Sequence, residues 1–334
     1  MTPDSNRIQN ALYAFTTSQL VFSAVELSIF SHIDAGYTNI VQLAKITGLD
    51  ARALKIFLNG LVGIGFLSSP QGNTYSLPED VAQFLVKSSP DYLGGMVKHC
   101  KRLSENWAML SESLRSGQPV GGSQSLQQLE VYFSELVQGL YVSNFSTAKK
   151  LAELLYPVVD PESPPLSILD AAAGSAVWSI ALLERYPKAT ATVIDFQSVI
   201  DVTKQFVEKH QLVDRFQYCA GDIEVMALPD TQHDVVILAN ICHALGPYAS
   251  KKIFKKLAKV IKPSGQLVIV DFVADSSLPE KSWPLVFGVN MLVSTPEGDI
   301  FSETDYRTWL SEAGFSSVGF KEIDVDVTAI IACF

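Results

Sequence analysis

Apolar residues recur at helical spacing near the start of the chain. Over residues 5–33 they cover more than one face of a helix, which predicts a single helix that is buried on several sides. Two shorter helices are predicted after it. Asn39 caps the first, which ends near Gly48, and Asp50 caps the second, which Gly65 closes before an extended segment. This order is typical of a helix-turn-helix.

A turn signal follows the two short helices. Apolar runs at residues 66–67 and 75–77 flank the sequence Pro-Gln-Gly-Asn, which predicts a β-hairpin. Residues 1–90 are therefore predicted to form a mainly helical winged-helix domain. Residues 91–160 have a helical pattern interrupted by a loop rich in Gly, Ser and Gln at residues 116–125, and they are predicted to be connecting helices.

A polar and proline-rich segment near residue 161 marks the start of the last predicted domain, residues 161–334. Beyond it, short apolar runs alternate with helix-length segments, which predicts an α/β domain with a doubly wound, mostly parallel sheet. The runs are SILDAAA, ATVIDF, FQYCAGD, HDVVILAN, GQLVIVDFVA, FSSVGFKEI and VTAIIACF. Because residues 324–326 are too few for a parallel crossover, the last two runs must pair as an antiparallel hairpin.

Composition narrows the classes of protein that fit this pattern. The chain has 334 residues, of which 48% are hydrophobic and 18% charged, so it has ample apolar surface for two folded domains. Its formal net charge of -10 argues against nucleic acid or an anionic membrane surface as a partner. The N-terminus has no signal-peptide pattern, and no run approaches the roughly 20 apolar residues of a membrane span. The four cysteines lack metal-ligand or disulfide spacing, which favours a reduced, cytoplasmic setting.

Acidic residues end three of the predicted strands. Small residues at positions 167–176 join the first strand to a helix, either to let a ligand approach the backbone or to pack the helix tightly on the sheet. Asp195 follows about 20 residues later, where a nucleotide-binding βαβ unit holds ribose hydroxyls; a helix-capping role is the alternative. Asp222 ends the third strand and can meet an adenine amino group while Ile223 packs on the ring. The three strand ends are predicted to converge on one crevice.

The ordered set of motifs resembles the S-adenosylmethionine-dependent O-methyltransferases of the caffeic acid and hydroxyindole (acetylserotonin) type. The motifs are Asp-Ala-Ala-Ala-Gly, Val-Ile-Asp-Phe, Gly-Asp-Ile, Asn-Ile-Cys-His, Lys-Pro-Ser-Gly-Gln-Leu-Val-Ile-Val-Asp and Ala-Gly-Phe. The resemblance spans nearly the whole chain. It implies a Rossmann-like class I methyltransferase domain with a seven-stranded sheet, a winged helix that serves dimerisation, S-adenosyl-L-methionine as the cofactor, and no metal.

The resemblance also assigns residues to the cofactor. It implies that the methionine end lies against the turn at residues 170–175, that Asp195 holds the ribose, and that the adenine lies beside Asp222 and Ile223. The full set of cofactor-binding residues that it implies is Asp170, Ala172, Gly174, Asp195, Phe196, Asp222, Ile223 and Asn240.

A general base is implied at His243, just past the fourth strand, with Asp271 at the end of the fifth strand as the acid that orients it. A phenol has a pKa of about 10 and a histidine about 6.5, so an imidazole held by a carboxylate is a plausible proton acceptor as the oxygen attacks the methyl group. A packing or helix-start role is the alternative for His243. Phe287, Asn290 and Met291 are candidates to line the acceptor site, with core packing as the alternative for Phe287 and Met291.

The chain departs from the family pattern at four places. The glycine-rich turn is mostly alanine, so we expect less room for left-handed backbone there. Ala239 stands where a lysine is frequent, and residues 244–245 replace an Asp-Trp pair. The second orienting acid has no match in the sequence PEGDIF at residues 296–301, where Glu297 or Asp299 would have to substitute from a shifted position.

These features predict an O-methyltransferase that acts on a phenolic or enolic hydroxyl of a small-molecule acceptor, works as a homodimer, and binds neither nucleic acid nor membrane. Two alternatives stay open. A site that lacks the second acid can use bound S-adenosylmethionine for decarboxylation or hydroxylation instead of methyl transfer. A winged helix can also belong to a ligand-responsive regulator, although residues 50–60 carry only Arg52 and Lys55 as basic groups among apolar ones, which is typical of a buried interface.

Overall fold

The computed structural model describes residues 5–70, 72, 74–120, 126–159, 162–274 and 283–334. Parts of three predicted segments lie outside these residues: the tip of the hairpin, the second half of the loop at residues 116–125, and the start of the proline-rich segment near residue 161. The chain divides into two compact units, Met1–Ser104 and Glu105–Phe334. The division into three parts at residues 90 and 160 stays a prediction.

Helices account for most of the first unit. They are α1 (Asn6–Glu26), α2 (Ile29–Asp34), α3 (Ile40–Thr47), α4 (Ala51–Gly63) and α5 (Glu79–Leu85), and α6 (Gly94–Ala108) runs across the boundary. The prediction of one helix over residues 5–33 is wrong. Ser28 adopts a left-handed backbone with φ of 57°, which ends α1 and lets α2 start in a new direction.

The predicted caps of the two short helices are confirmed. The Asn39 side chain accepts a hydrogen bond from the backbone of Gln42, and Asp50 accepts one from the backbone of Ala53. Gly48 ends α3 in the left-handed region, with φ of 71°. Among the described residues, the predicted hairpin consists of one antiparallel bridge between Ser68 and Ser76. Their backbones form two hydrogen bonds, each of 2.9 Å.

The second unit alternates strands and helices after two leading helices. Its helices are α7 (Leu110–Ser116), α8 (Leu126–Leu155), α9 (Val177–Arg185), α10 (Gln197–Lys209), α11 (Cys242–Leu257), α12 (Trp283–Ser294) and α13 (Glu303–Glu312). Its strands are β1 (Leu166–Ala171), β2 (Ala189–Asp195), β3 (Phe216–Ala220), β4 (His233–Ala239), β5 (Ile261–Asp271), β6 (Ser317–Asp324) and β7 (Val327–Cys333). None of the described helices is both long and apolar enough to cross a membrane.

The strands form one seven-stranded sheet in the order β3-β2-β1-β4-β5-β7-β6. The first five strands pair in parallel, while β7 pairs antiparallel with both β5 and β6. This confirms the α/β fold, its mostly parallel sheet and the closing hairpin. Because all five parallel strands point the same way, the residues that follow them share one edge of the sheet.

Both faces of the sheet are buried, as the apolar runs predict. Alternate residues of one strand enter different cores: Ile168 packs under α8 and α9, whereas Leu169 packs with residues of α11 and α13. The inward positions in the middle of the central strands are therefore apolar. The polar side chains that could carry chemistry are displaced to the strand ends.

Candidate active site

The turn that follows β1 takes a left-handed backbone at every second residue. Ala172, Gly174 and Ala176 have φ of 54°, 57° and 57°. The expectation that alanine would leave less room for this conformation is wrong, because both alanines adopt it despite a cost of roughly 1–2 kcal/mol for each L-residue. At Gly174 the glycine is also needed for space, since a Cβ would lie 3.2 Å from the Val137 Cγ1 atom of α8.

Asp170 lies near the end of β1 and is 1% exposed. Its Oδ2 atom accepts a hydrogen bond of 2.5 Å from the Ser179 hydroxyl on α9. Its Oδ1 atom has no hydrogen-bond partner among the described residues. Burial raises the pKa of the Asp170 carboxyl to about 7. An orphaned, buried carboxylate oxygen of this kind needs a donor or a cation from outside the chain.

Asp195 ends β2 and binds the same turn. One carboxylate oxygen accepts from the backbone amide of Gly174 and the other from that of Phe196, both at 2.8 Å. A carboxylate oxygen has two lone pairs, so each oxygen can accept one further hydrogen bond. Burial raises the pKa of the Asp195 carboxyl to about 6, against the lowering effect of these two amides.

The segment after β3 brings a third acid to the same edge. Asp222 accepts a hydrogen bond of 2.8 Å from the Glu224 amide through Oδ1, and its charge adds to the raised pKa of Asp195. Ile223 is 5% exposed and belongs to the core that packs against α11. The Phe196 ring stacks on Phe133 of α8, with the ring centroids 6.5 Å apart.

The end of β4 turns sharply into α11. Asn240 takes a left-handed backbone with φ of 56°, and its amide donates to the carbonyl of Val270 on β5. This turn places His243 in the first turn of α11, 8% exposed. Asparagine tolerates this conformation better than most residues because its short polar side chain bonds locally. The kink in α11 at Gly246, with φ of 78°, follows directly.

His243 and Asp271 form a buried hydrogen-bonded pair. The Nδ1 atom of His243 lies 2.5 Å from the Asp271 Oδ1 atom, and Asp271 is 1% exposed. A carboxylate only accepts, so the proton of this bond belongs to His243 Nδ1, which leaves Nε2 as the acceptor nitrogen of the neutral ring. Nε2 has no hydrogen-bond partner among the described residues.

Tyr306 on α13 is a site residue that the sequence did not reveal. Its hydroxyl donates to the Asp271 Oδ2 atom at 3.2 Å. The sequence does signal the start of α13, because Ser302 and Asp305 form a capping box. It gives no signal of the contact with Asp271, which depends on how α13 packs against the end of β5.

The predicted acceptor-site residues share one helix. The Phe287 ring meets the His243 imidazole edge to face, with centroids 5.0 Å apart and planes at 86°. Asn290 lies one turn later, 9% exposed, and its Oδ1 atom accepts from the Trp107 indole at 3.2 Å. Met291, at 6% exposure, is buried on the same helix. Phe287 alone of the three has a ring contact with His243 among the described residues.

The segment between α12 and α13 binds the backbone of His243 and not its ring. The amide of Asp299 donates to the His243 carbonyl at 2.9 Å, and the Asp299 carboxylate accepts from its neighbour Ile300. Glu297 packs against Gly246, where a Cβ atom would lie 2.6 Å from the Glu297 Cβ atom. Within the described chain, neither carboxylate forms a hydrogen bond with the imidazole. Neither of the two residues that would have to substitute for the second acid therefore makes this contact.

Together these residues form one acid-lined site at the carboxyl edge of the parallel strands. Such an edge is where open α/β sheets bind ligands. The described residues contain no cluster of three or more His, Cys, Asp or Glu side chains that could hold a metal ion. The arrangement offers carboxylates for a polar or cationic ligand and, at the same sheet edge, an imidazole whose Nε2 atom has no hydrogen-bond partner in the described chain.

Comparison with known proteins gives a consistent result. Residues 159–316 match the family model of the O-methyltransferase domain. The chain is 24% identical over 306 residues to the tetracenomycin polyketide synthesis 8-O-methyl transferase of Streptomyces glaucescens, covering 91% of this chain and 89% of the relative. It is 25% identical over 309 residues to the 3-hydroxy-5-methyl-1-naphthoate 3-O-methyltransferase of Streptomyces sahachiroi, covering 90% and 86%. The crystal structure of human N-acetylserotonin methyltransferase in complex with SAM has the same fold, with a TM-score of 0.83, 22% identity, and coverage of 99% of this chain and 98% of that one.

Proposed function

Residues 159–316 of the chain are an O-methyltransferase domain, and on this premise we propose that the protein transfers a methyl group from S-adenosylmethionine to a phenolic or enolic hydroxyl of a small-molecule acceptor. The hydrogen bond of 2.5 Å between His243 and Asp271 carries the proposal. It orients the imidazole at the same sheet edge as the acid-lined turn. Relatives that methylate tetracenomycin and naphthoate hydroxyls support the choice of acceptor class.

The described residues fit the cofactor. The orphaned Oδ1 atom of Asp170 suits a cationic or hydrogen-bond-donating group at the left-handed turn. Each oxygen of Asp195 already accepts one amide and keeps a lone pair for one ribose hydroxyl. Asp222 and Ile223 supply a polar atom and an apolar surface for the adenine. The remaining proposed contacts are Ala172 and Gly174 through the backbone, Phe196 and Asn240.

His243 is proposed as the general base. Its Nδ1–H donates to Asp271, so Nε2 takes the proton from the acceptor hydroxyl while the oxygen forms its new bond to carbon. When bound, S-adenosylmethionine supplies the methyl carbon, and its sulfur keeps the electron pair of the bond that breaks. The proton ends on His243 and returns to solvent. The charge that develops on the imidazolium is stabilised by Asp271, in the way a carboxylate stabilises the histidine of other acid–base pairs.

Phe287 is proposed to exclude water and align the acceptor. Its ring covers one face of the site through contacts with both His243 and Phe272, at centroid distances of 5.0 Å and 4.6 Å. Asn290 and Met291 extend the same helix face and are proposed as further acceptor contacts. Proximity and alignment of the oxygen with the methyl group supply much of the rate that the base does not.

The proposal is tested by incubating the protein with S-adenosylmethionine and a panel of phenolic acceptors, and quantifying S-adenosylhomocysteine and methylated product. We expect the two to form in equal amounts. His243→Ala should lower the transfer rate by about 10²–10⁴-fold and leave cofactor affinity within about twofold. His233→Ala is the matched control, because His233 is equally buried but lies at the other end of β4.

Two outcomes would contradict the proposal. A product that lacks the methyl group, formed without S-adenosylhomocysteine, would indicate the decarboxylation or hydroxylation alternative. A rate that survives His243→Ala and follows the ionisation of the acceptor alone would show that the acceptor arrives already ionised. In that case the site would act by alignment and the base would be wrongly assigned.

A homodimer is proposed through the first unit. Helix α1 leaves large apolar side chains exposed, including Leu12 at 66%, Tyr13 at 68% and Phe15 at 62%. Apolar groups that cluster on one exposed helix usually mark an interface. Light scattering at micromolar concentration should give twice the monomer mass of 36.5 kDa. The triple variant with Leu12, Tyr13 and Phe15 changed to serine should run as a monomer, and a parent protein that is itself monomeric would contradict the proposal.

The first unit is proposed to be a winged-helix dimerisation module that reads no DNA. Helix α4 stands where a recognition helix would, and its buried residues Leu54, Leu58 and Leu61 commit one face to the core. Arg52 and Lys55 are its basic groups. Titration against a mixed-sequence DNA duplex at low salt should show no binding.

A cytoplasmic setting is proposed from the four cysteines, all of which are described and unpaired.

A further inference from the structure

We propose that Tyr306 is a positioning residue for methyl transfer: its hydroxyl holds the far oxygen of Asp271 so that His243 remains neutral and keeps Nε2 free for the acceptor's proton. The inference deepens the proposed function and rests on it. It also says how the site works without the second acid that the sequence lacks.

Four donors surround the Asp271 carboxylate. The Oδ1 atom accepts from His243 Nδ1 at 2.5 Å and from the Phe272 amide at 2.8 Å. The Oδ2 atom accepts from the His243 amide and from the Tyr306 hydroxyl, both at 3.2 Å. Tyr306 therefore supplies one of the two bonds that fix Oδ2. The other three donors come from His243 on α11 and from Phe272, the residue directly after β5, whereas Tyr306 comes from α13.

The Tyr306 ring is held firmly enough to set the position of its hydroxyl. The residue is fully buried, and its ring packs against Phe254, Phe301 and Trp309, with centroid distances of 6.4, 6.5 and 5.6 Å. The capping box at the start of α13 fixes the helix that carries it. A phenylalanine at this position would keep the ring contacts and lose the hydroxyl alone.

Tyr306 can act on Asp271 only as a donor. Burial and the nearby Asp271 charge raise the pKa of the Tyr306 phenol well above its ordinary value, so it keeps its proton at all working pH values. A hydrogen bond to a charged acceptor draws negative charge from the carboxylate, which reduces the pull of Asp271 on the Nδ1 proton and on any added Nε2 proton. Without the hydroxyl, Asp271 would stabilise the imidazolium more strongly. Nε2 of His243 would then already be protonated and could not accept the proton of the acceptor hydroxyl.

Other titratable groups near the pair change this picture little. Cys242 on α11 is fully buried, and burial raises the pKa of its thiol well above the ordinary value, so it stays neutral. Glu297 and Asp299 lie in the segment between α12 and α13, and neither binds the imidazole within the described chain. On the face of α12, the neighbour of His243 is the uncharged Phe287. On the buried side of the pair, Tyr306 is thus the side chain that donates a hydrogen bond to Asp271.

The test is a histidine titration by NMR of ¹⁵N-histidine-labelled protein, free of cofactor and acceptor. The chain has 5 histidines, and His243→Gln identifies the signal of His243. In the parent protein the neutral ring should carry its proton on Nδ1. In Tyr306→Phe we expect the midpoint of the His243 titration to rise by about one pH unit, the equivalent of losing one hydrogen bond to a charged group. Thermal unfolding checks that the variant is folded.

Tyr186→Phe is the matched control, because it removes another buried tyrosine hydroxyl, one that donates to the Pro164 carbonyl. It should leave the His243 titration unchanged. In the transfer assay, Tyr306→Phe should lower kcat about fivefold at the parent's midpoint, shift the acid limb of the pH profile upward, and leave the KM for S-adenosylmethionine unchanged. Titration curves that superimpose in parent and Tyr306→Phe would overturn the inference, as would a rate that falls equally at every pH. Because the titration needs no substrate, it can fail while methyl transfer is observed, or hold while methyl transfer is absent, so the two proposals are judged separately.

Discussion

Cofactor binding should depend on pH through the two carboxyls that line the turn after β1. Burial raises the pKa of Asp170 to about 7 and that of Asp195 to about 6. Both groups are therefore partly protonated at mildly acid pH in the empty site. A ligand that brings a cation and two hydroxyl donors prefers their ionised forms, so binding must release protons. Affinity should rise with pH and level off above the pKa of Asp170.

The size of the effect follows from the two pKa values. At pH 6, a carboxyl with a pKa of about 7 is ionised in roughly one molecule of eleven, and one with a pKa of about 6 in roughly one of two. At pH 8 both are almost fully ionised. If only the doubly ionised site binds, affinity should be about 20-fold weaker at pH 6 than at pH 8. At pH 7, binding should release about 0.6 proton.

Titration calorimetry with S-adenosylhomocysteine measures both quantities. Affinity is read at half-unit steps from pH 6 to pH 8. Proton release is read at pH 7 from the difference in heat between phosphate and Tris, whose ionisation enthalpies differ. S-adenosylhomocysteine keeps the ribose and amino acid groups of the cofactor, so it probes the same two carboxylates without the risk of turnover.

Variants assign the effect to its source. Asp170→Asn should reduce the ratio of affinities between pH 8 and pH 6 to about twofold, the part that Asp195 contributes. Asp201→Asn is the matched control, since Asp201 is an exposed acid on α10 that pairs with Lys204. It should keep the full ratio. An affinity constant within twofold over the whole range, or equal heats in both buffers, would refute the reasoning that these carboxyls are protonated in the empty site and ionised in the complex.

Two further predictions concern stability. The folded-state pKa of Asp170 is raised, so its contribution to stability is present below the unfolded value near 4 and is lost as pH rises through about 7. Asp170→Asn removes that loss. The free energy of unfolding of the variant minus that of the parent, measured in urea, should therefore be about 2–3 kcal/mol larger at pH 8 than at pH 5. The same difference at both pH values would contradict a buried charge at Asp170. Ala172→Gly relieves a left-handed L-residue and should raise stability by about 0.5–1 kcal/mol. Ala173→Gly, where φ is not positive, should lower it by a similar amount, and matching effects would count against strain at Ala172.

The sheet and the position of its acids were predictable because both depend on local patterns. A strand buried on both faces must be continuously apolar, so its end is marked wherever a polar residue appears. Asp195 and Asp271 are such residues, and the structure has them as the last residues of β2 and β5. Parallel strands bring these ends to one edge whatever the details of packing. The topology of the parallel sheet therefore predicts where the site lies.

Features set by backbone strain or by tertiary contact could not be predicted in the same way. Ser28 ends the first helix although apolar residues continue at helical spacing beyond it. One left-handed residue redirects the chain and leaves no mark in the spacing of the apolar residues. Ala172 and Ala176 are left-handed although glycine is the residue expected for that conformation. The contact of Tyr306 with Asp271 joins residues 35 apart in sequence. In each case, contacts in the folded protein determine the backbone conformation or the side-chain partner, and the residue's own propensity does not.

The acids of the turn show why burial and ligand choice are linked in this protein. In the described chain, no lysine or arginine forms an ion pair with Asp170 or Asp195, so their charges are unbalanced in the empty site. The same burial that raises their pKa values also strengthens their attraction to a bound cation, because charges interact more strongly away from water. A ligand that brings neither a cation nor a hydrogen-bond donor to this turn would leave the Oδ1 atom of Asp170 unsatisfied. If these acids bind the cofactor as proposed, the strained turn and the buried carboxyls lower the stability of the empty domain in favour of a ligand that brings a cation or hydrogen-bond donors to this edge of the sheet.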